Sequence, residues 1–286
     1  MNNLFACFRP GSWPLYLAVL LLAAFAQAAP ALTLVSASNV GDSDTQFDLL
    51  FSEPVNQAEA QNLANYTASG FALNSATLQP DNRTVRFTTT SLASFWICRR
   101  LTVSNVHDRA GPPNVIAPNS EIGVVYGTSS IRYRLFPNIA GGAVNDLLNH
   151  PWFPGLPTVD QNVHSDYFEW QSDPPVASGN HYGDNFGAQL IGLLSPPVDG
   201  NYTFYIASDD ASALWLSTDE NPVNKVRIAN NPIWSDVRQW TGQASGGGRD
   251  CTQPGSLSCN ISAPISLRGG CRYYVEMVLK EFGGSG

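Results

Sequence analysis

At 286 residues the chain has room for two domains. Its 15 Lys and Arg stand against 23 Asp and Glu, a formal net charge of −8. With no basic cluster anywhere, this balance argues against nucleic acid and anionic membrane surfaces as partners, and it is compatible with calcium or a neutral sugar.

Residues 1–28 read as a secretory signal peptide. Arg9 supplies the positive start, residues 15–25 the apolar core, and Ala26-Gln27-Ala28 the small-residue cleavage site. The apolar run is too short to span a bilayer, and no later segment is apolar enough for a membrane helix. The chain is therefore expected outside the cell or on its surface. Cleavage leaves four cysteines, Cys98, Cys251, Cys259 and Cys271. In an oxidising compartment at least one disulfide is expected. Cys251 and Cys259 flank the loop CTQPGSLSC and are the simplest pair, with Cys271 able to take either place. Cys98 lies in the other domain and reads as an unpaired core residue. There is no CxxC, and His107, His150, His164 and His181 are scattered, which argues against zinc.

Residues 29–126 read as short strands at regular spacing. Phe47, Leu49 and Phe51 alternate with polar neighbours until SEPV breaks the run. AEAQNLANY reads as a short helical piece. Leu78 leads into a PDNR turn, Val85 and Phe87 share a face of TVRFTT, and Leu101 and Val103 alternate in RRLTVSNV. Strands divided by such turns predict an all-β sandwich. The phrases FSEPVNQAEAQNLANYT, LQPDNRTVRFTT and LTVSNVHDRAG, in that order, resemble the bacterial Ig-like modules of cell-surface proteins. That resemblance implies a spacer, and no cluster of aromatics or acids here suggests a binding site.

Residues 114–130, rich in Pro, Asn, Gly and Ser, form the junction. The second domain, 127–286, opens with the strand IRYRLF. Val144, Leu147 and Leu148 follow at helical spacing, placed to cover a sheet. A polar loop then carries Trp152, Asp166, Tyr167, Glu169 and Trp170. Asp166 and Glu169 admit reading as a glycosidase pair, but nothing in sequence sets the separation that chemistry needs. No GxSxG, HExxH, P-loop or EF-hand pattern occurs, and the chain is read as non-catalytic. Asn65, Asn82, Asn201 and Asn260 fit the N-glycosylation pattern, taken here as accidental. Residues 246–260 form a Gly-rich, cysteine-clipped loop.

The stretch GNYTFYIASDDASALWLS, residues 200–217, reads as two strands around an acidic turn at Asp209-Asp210. Tyr202, Phe204 and Ile206 share one face. Neighbouring side chains on an extended backbone point apart. Two carboxylates facing one ligand therefore need a sharp backbone bend, a cis peptide being one route. Calcium, with about six to eight oxygen ligands, suits such a pair. The last strand, CRYYVEMVLK, puts Tyr273, Val275, Met277 and Leu279 on one face and Glu276 and Lys280 on the other.

GGAVNDLL, then GDNFGAQLIGLLSPPVDGNYTFYIASDDASALWLSTDE, then SAPISLRGGCRYYVEMVLKEFGG resemble the protective-antigen-type (PA14) lectin-like domain over residues 131–286. The resemblance implies a β-sandwich or barrel of jelly-roll type that binds carbohydrate. It also implies that Asp209 and Asp210 hold calcium, which in turn holds sugar hydroxyls. Trp170 and Trp234 are the candidates to stack on a sugar ring, with Tyr167 and Trp240 behind them. Against the family pattern the chain stops after KEFGGSG, which leads to the expectation of a missing closing strand and an unpaired sheet edge. Three functions follow from these readings: a glycan-binding adhesion module, a structural stalk, or an accessory region of an extracellular glycosidase or protease.

Overall fold

The computed structural model describes residues 30–93, 97–128, 130–164, 168–169 and 184–283. The expected signal peptide, and Asp166, Tyr167 and Trp170, lie outside the described residues. Among those described, no helix is long and apolar enough to cross a membrane.

The first half contains β1 (Leu34–Asn39), β2 (Gln46–Phe51), α1 (Gln57–Ala60), β3 (Tyr66–Ser69), β4 (Leu73–Leu78), β5 (Thr84–Thr89), β6 (Arg100–Val103) and β7 (Ser120–Gly123). They form two antiparallel sheets, β1-β2-β5-β4 and β3-β6-β7. Alternation builds them. Phe47, Leu49 and Phe51 from β2 and Val85 and Phe87 from β5 meet Tyr66, Leu101 and Val103 of the other sheet in one core. Phe47 stacks on Phe87 with ring centroids 4.9 Å apart. In the PDNR turn the Asp81 carboxylate accepts the N–H groups of Arg83 and Thr84 at 3.0 and 2.9 Å, the local bonding that makes Asp a turn residue.

The second half contains β8 (Ser130–Phe136), α2 (Val144–Leu148), β9 (Val159–His164), β10 (Phe186–Leu194), β11 (Gly200–Tyr202), β12 (Ala211–Leu216), β13 (Val226–Asn231), β14 (Ile265–Leu267) and β15 (Tyr273–Glu281). Six of them make a sheet in the order β13-β12-β15-β10-β8-β9, and β11 pairs with β14. Tyr273, Val275 and Met277 of β15 face one apolar core. Val278 faces the other side and packs with Phe136 and Leu147, so α2 covers that side of the sheet. The all-β fold is as expected. β15 lies in the middle of its sheet, paired with β10 on one side and β12 on the other, and the edge strands are β13 and β9.

The cysteines also require a correction. Cys98 is not an unpaired core residue: it is bonded to Cys271, and Cys251 is bonded to Cys259. Pairing across 173 residues joins the two β-rich halves covalently. Around this bond the Arg99 amide donates to the Gly270 carbonyl at 2.9 Å. The Arg100 guanidinium reaches Asp199 at 2.8 Å and Glu121 at 2.9 Å. The guanidiniums of Arg99 and Arg272 both approach the Tyr126 ring, 5.5 and 5.6 Å from its centre. Arg272 in turn grips Glu220 through two hydrogen bonds of 3.0 and 2.8 Å.

Gly270 shows how close this seam is. Its φ is +74°, and a Cβ there would sit 1.9 Å from the Arg99 carbonyl oxygen and 2.9 Å from the Gly123 Cα. Gly270→Ala is expected to cost roughly 2–4 kcal/mol, combining left-handed strain with overpacking. Gly41→Ala is the control, with a φ of +55° but nothing within 4 Å, and is expected to cost only about 1 kcal/mol. Urea denaturation of the two variants separates the contact from the backbone conformation.

Candidate functional site

Tyr202 at the end of β11, and Phe204 and Ile206 beyond it, all contribute to the core, as their alternation predicts. The chain then reaches Ser208, which is fastened from several sides. Its N–H donates to the Ser235 hydroxyl at 3.1 Å, and its carbonyl accepts the Ser235 N–H at 2.8 Å. Its own hydroxyl donates to the Asp210 carbonyl at 2.7 Å. The peptide bond between Asp209 and Asp210 is cis.

Strand register does the rest. Ala211 of β12 pairs with Lys280 of β15 in antiparallel sense, so one step outward on each strand sets Asp210 beside Glu281. The Phe282 N–H closes the arrangement by donating to Asp210 Oδ2 at 3.0 Å. Carboxylate oxygens of Asp209, Asp210 and Glu281 all lie within 4.8 Å of one another. Asp209 faces solvent, Asp210 is half-buried, and Glu281 is only 5% exposed.

In this setting Glu281 and Asp209 hold their protons more tightly than ordinary carboxylates. Burial, followed by the charges of Asp210 and Asp209, pushes Glu281 up to about 7. Burial and then Asp210 also raise Asp209, with Asp236 adding to the effect. Lys280 stands alongside, fully buried, with its ammonium donating to the Glu281 carbonyl. Burial lowers its pKa, while Asp146, Glu281 and Asp210 act to hold its charge. One ammonium does not neutralise three carboxylates. An all-oxygen, anionic donor set of this kind suits a hard divalent cation.

The loop after β13 is tied to the same turn through Ser235. It carries Trp234, which is 39% exposed. The pyrrole edge of the indole lies against Gly246, where a Cβ would come within 2.6 Å of Cδ1 and Nε1. Arg249, 3% exposed, holds this loop from inside. Its guanidinium donates to the Gln239 carbonyl and to Asn231 Oδ1, each at 3.0 Å, and Asn231 donates onward to the Ile233 carbonyl at 2.6 Å. The Cys251–Cys259 bond clips the segment that follows. Trp240 is exposed on the same loop. Glu169, the described half of the glycosidase reading, is engaged by Arg238 at 3.1 Å. Asn260 is fully buried, its amide donating to the carbonyls of Ile206 and Trp240, which closes it to glycosylation.

The structure thus brings Asp209 and Asp210 together, places Trp234 on the adjoining loop, and leaves Trp170 outside the described residues. Sequence reasoning missed Glu281, although a signal was present. Glu281 continues the parity of Tyr273, Val275, Met277 and Leu279, and a carboxylate on the buried side of a strand calls for a partner. Arg249 and Asn231 gave no such signal.

Comparison with known families adds a second, independent line. Residues 141–280 match the PA14 domain. The PA14 match spans Asp209, Asp210 and Lys280 and stops one residue before Glu281. A mouse N-acetyl-beta-glucosaminyl-glycoprotein 4-beta-N-acetylgalactosaminyltransferase 1 is 29% identical over 158 residues, covering 53% of this chain and 13% of that protein. Dog fibrocystin is 29% identical over 126 residues, covering 41% of this chain and 3% of that protein. The chain thus spans only a small part of these relatives' length. Among solved structures, the N-terminal part of the bacterial S-layer protein SbsC aligns with a TM-score of 0.31 and 19% identity, over 39% of this chain and 27% of that one.

Proposed function

We propose that the chain is an extracellular, non-catalytic module that attaches to glycans through a calcium ion held by Asp209, Asp210 and Glu281. The observation that carries this reading is the convergence of three carboxylates at one rim of a PA14 domain. Bound calcium supplies an electropositive centre for neutral sugar hydroxyls. Asp209 and Asp210 supply charge from the turn and Glu281 from the strand end. Lys280 restrains the repulsion among them. Trp234 offers an aromatic face for the apolar side of a sugar ring. The first half of the chain, read as an Ig-like support, carries the rim.

Glycan-array binding tests this. Binding that disappears with a chelator and returns with calcium is expected; binding indifferent to both contradicts the calcium step. A structural stalk is the second reading, favoured by the covalent joint between the two halves. It expects melting that ignores calcium and no glycan binding at all.

The pH dependence has a definite sign. Glu281 is pushed up to about 7, above the ordinary carboxylate range, so the folded apo chain holds this proton more tightly than the unfolded chain. The stability it contributes is complete below about pH 4 and is lost as pH rises through about 7. Calcium needs the ionised form, so its affinity falls about tenfold per pH unit below about 7. Melting between pH 5 and 8 is expected to show a Tm that declines with pH in chelator. The rise in Tm on adding calcium is expected to grow over the same range.

A further inference from the structure

Cys98 and Cys271 are 173 residues apart along the chain and one bond apart in space. Asp209, Asp210 and the loop bearing Trp234 all lie inside that covalent loop. Of the described residues beyond it, Arg272 leads directly into β15, and Phe282 and Gly283 follow the strand. We propose that the Cys98–Cys271 bond is a mechanical shortcut. Tension along the chain passes from the N-terminal sandwich through this bond into β15 and leaves residues 99–270 outside the load path. This goes beyond glycan attachment and holds whatever the acidic rim binds.

The geometry of β15 makes the shortcut effective. A strand already rises about 3.3–3.4 Å per residue, close to the roughly 3.3–3.6 Å limit of an extended chain. Pulling along its nine residues therefore yields almost no extra length and does little work against its pairing with β10 and β12. Glu281, at the far end of the strand, stays beside Asp210, and the Phe282 N–H bond of 3.0 Å stays with it.

The seam keeps the two flanks of the bond aligned. The Arg99 amide is bonded to the Gly270 carbonyl at 2.9 Å. At Gly123 a Cβ would fall 2.2 Å from the Gly269 carbonyl carbon, so the two backbones lie in direct contact. What remains in the load path with length to give is residues 31–97, which include β1 to β5. A sandwich held by non-covalent contacts yields before a covalent bond does. Residues 31–97 are then the extensible element, and the rim stays assembled.

Single-molecule pulling on the whole chain, with handles at its two termini, tests this directly. For the oxidised wild type the expected unfolding step is roughly 220–240 Å of contour length, from residues 31–98. Opening the bond adds the 173 residues it bridges, less the 8 held by the second disulfide, or roughly 550–600 Å more. Cys98→Ser is expected to show that addition. Dithiothreitol, which gives two electrons to the bond and leaves two thiols, provides the same comparison on already folded wild type should the variant not fold; because it also opens the second bond, it releases slightly more. Release of the longer length by the oxidised wild type overturns the proposal, as does an unchanged length once the bond is opened. Alkylation of Cys98 by iodoacetamide before any reduction overturns it as well.

Discussion

Asp210→Ala is expected to lower calcium affinity at least about a hundredfold, or roughly 2.7 kcal/mol. The substitution removes one of the three converging carboxylates and also the acceptor of the Phe282 N–H, so the strand end carrying Glu281 loses its tie to the turn. Glu281→Gln is expected to cost a similar factor by a different route. It keeps the shape, removes the charge, and abolishes the dependence of affinity on pH near 7, because the group pushed up to about 7 is the one replaced. Asp236→Asn is the contrast. Asp236 bears on Asp209 only through its charge, and its loss is expected to change affinity by less than about tenfold. Competition with a calcium-sensitive dye ranks the three variants. Equal affinities would mean that the cation sits elsewhere.

Glu220→Ala is expected to destabilise the fold by roughly 3–5 kcal/mol while leaving calcium affinity unchanged. The pair it forms with Arg272 is buried on both sides. Removing the carboxylate leaves a buried guanidinium without the bidentate partner that compensates its desolvation, which is far costlier than losing a surface ion pair. The effect is heightened by Arg99, whose guanidinium shares the Tyr126 ring with Arg272 and is itself lowered to about 10 by burial and by Arg272. Arg272 precedes the first residue of β15 and Glu281 is its last, so the length of that strand separates the seam from the rim. The urea midpoint is the measurement. A shift below about 1 kcal/mol would show that the pair is solvated in solution.

What the residues announced and what they withheld divide along physical lines. Period-two alternation identified β2, β5, β6 and β15 because half-buried strands leave that mark on composition. The spacing of Leu147 and its neighbours marked α2 for the same reason. The adjacent acids at 209 and 210 stood out because like charges rarely adjoin without cause. Alternation names faces, however, and does not name partners. That the final strand lies between β10 and β12, and that Ala211 meets Lys280, depends on strand order and register, which are long-range properties. Glu281 was passed over for this one reason. Cys98 was misread because a bond across 173 residues leaves no local trace.

The central question is whether the acidic rim in the segment that matches the PA14 domain closes around a cation. Calorimetric titration of calcium into chelator-stripped protein at pH 8, where Glu281 is ionised, measures that directly. One ion per chain is expected, with the heat of binding gone from the Asp210→Ala variant. No saturable heat in the wild type, or the same isotherm from both proteins, would contradict it.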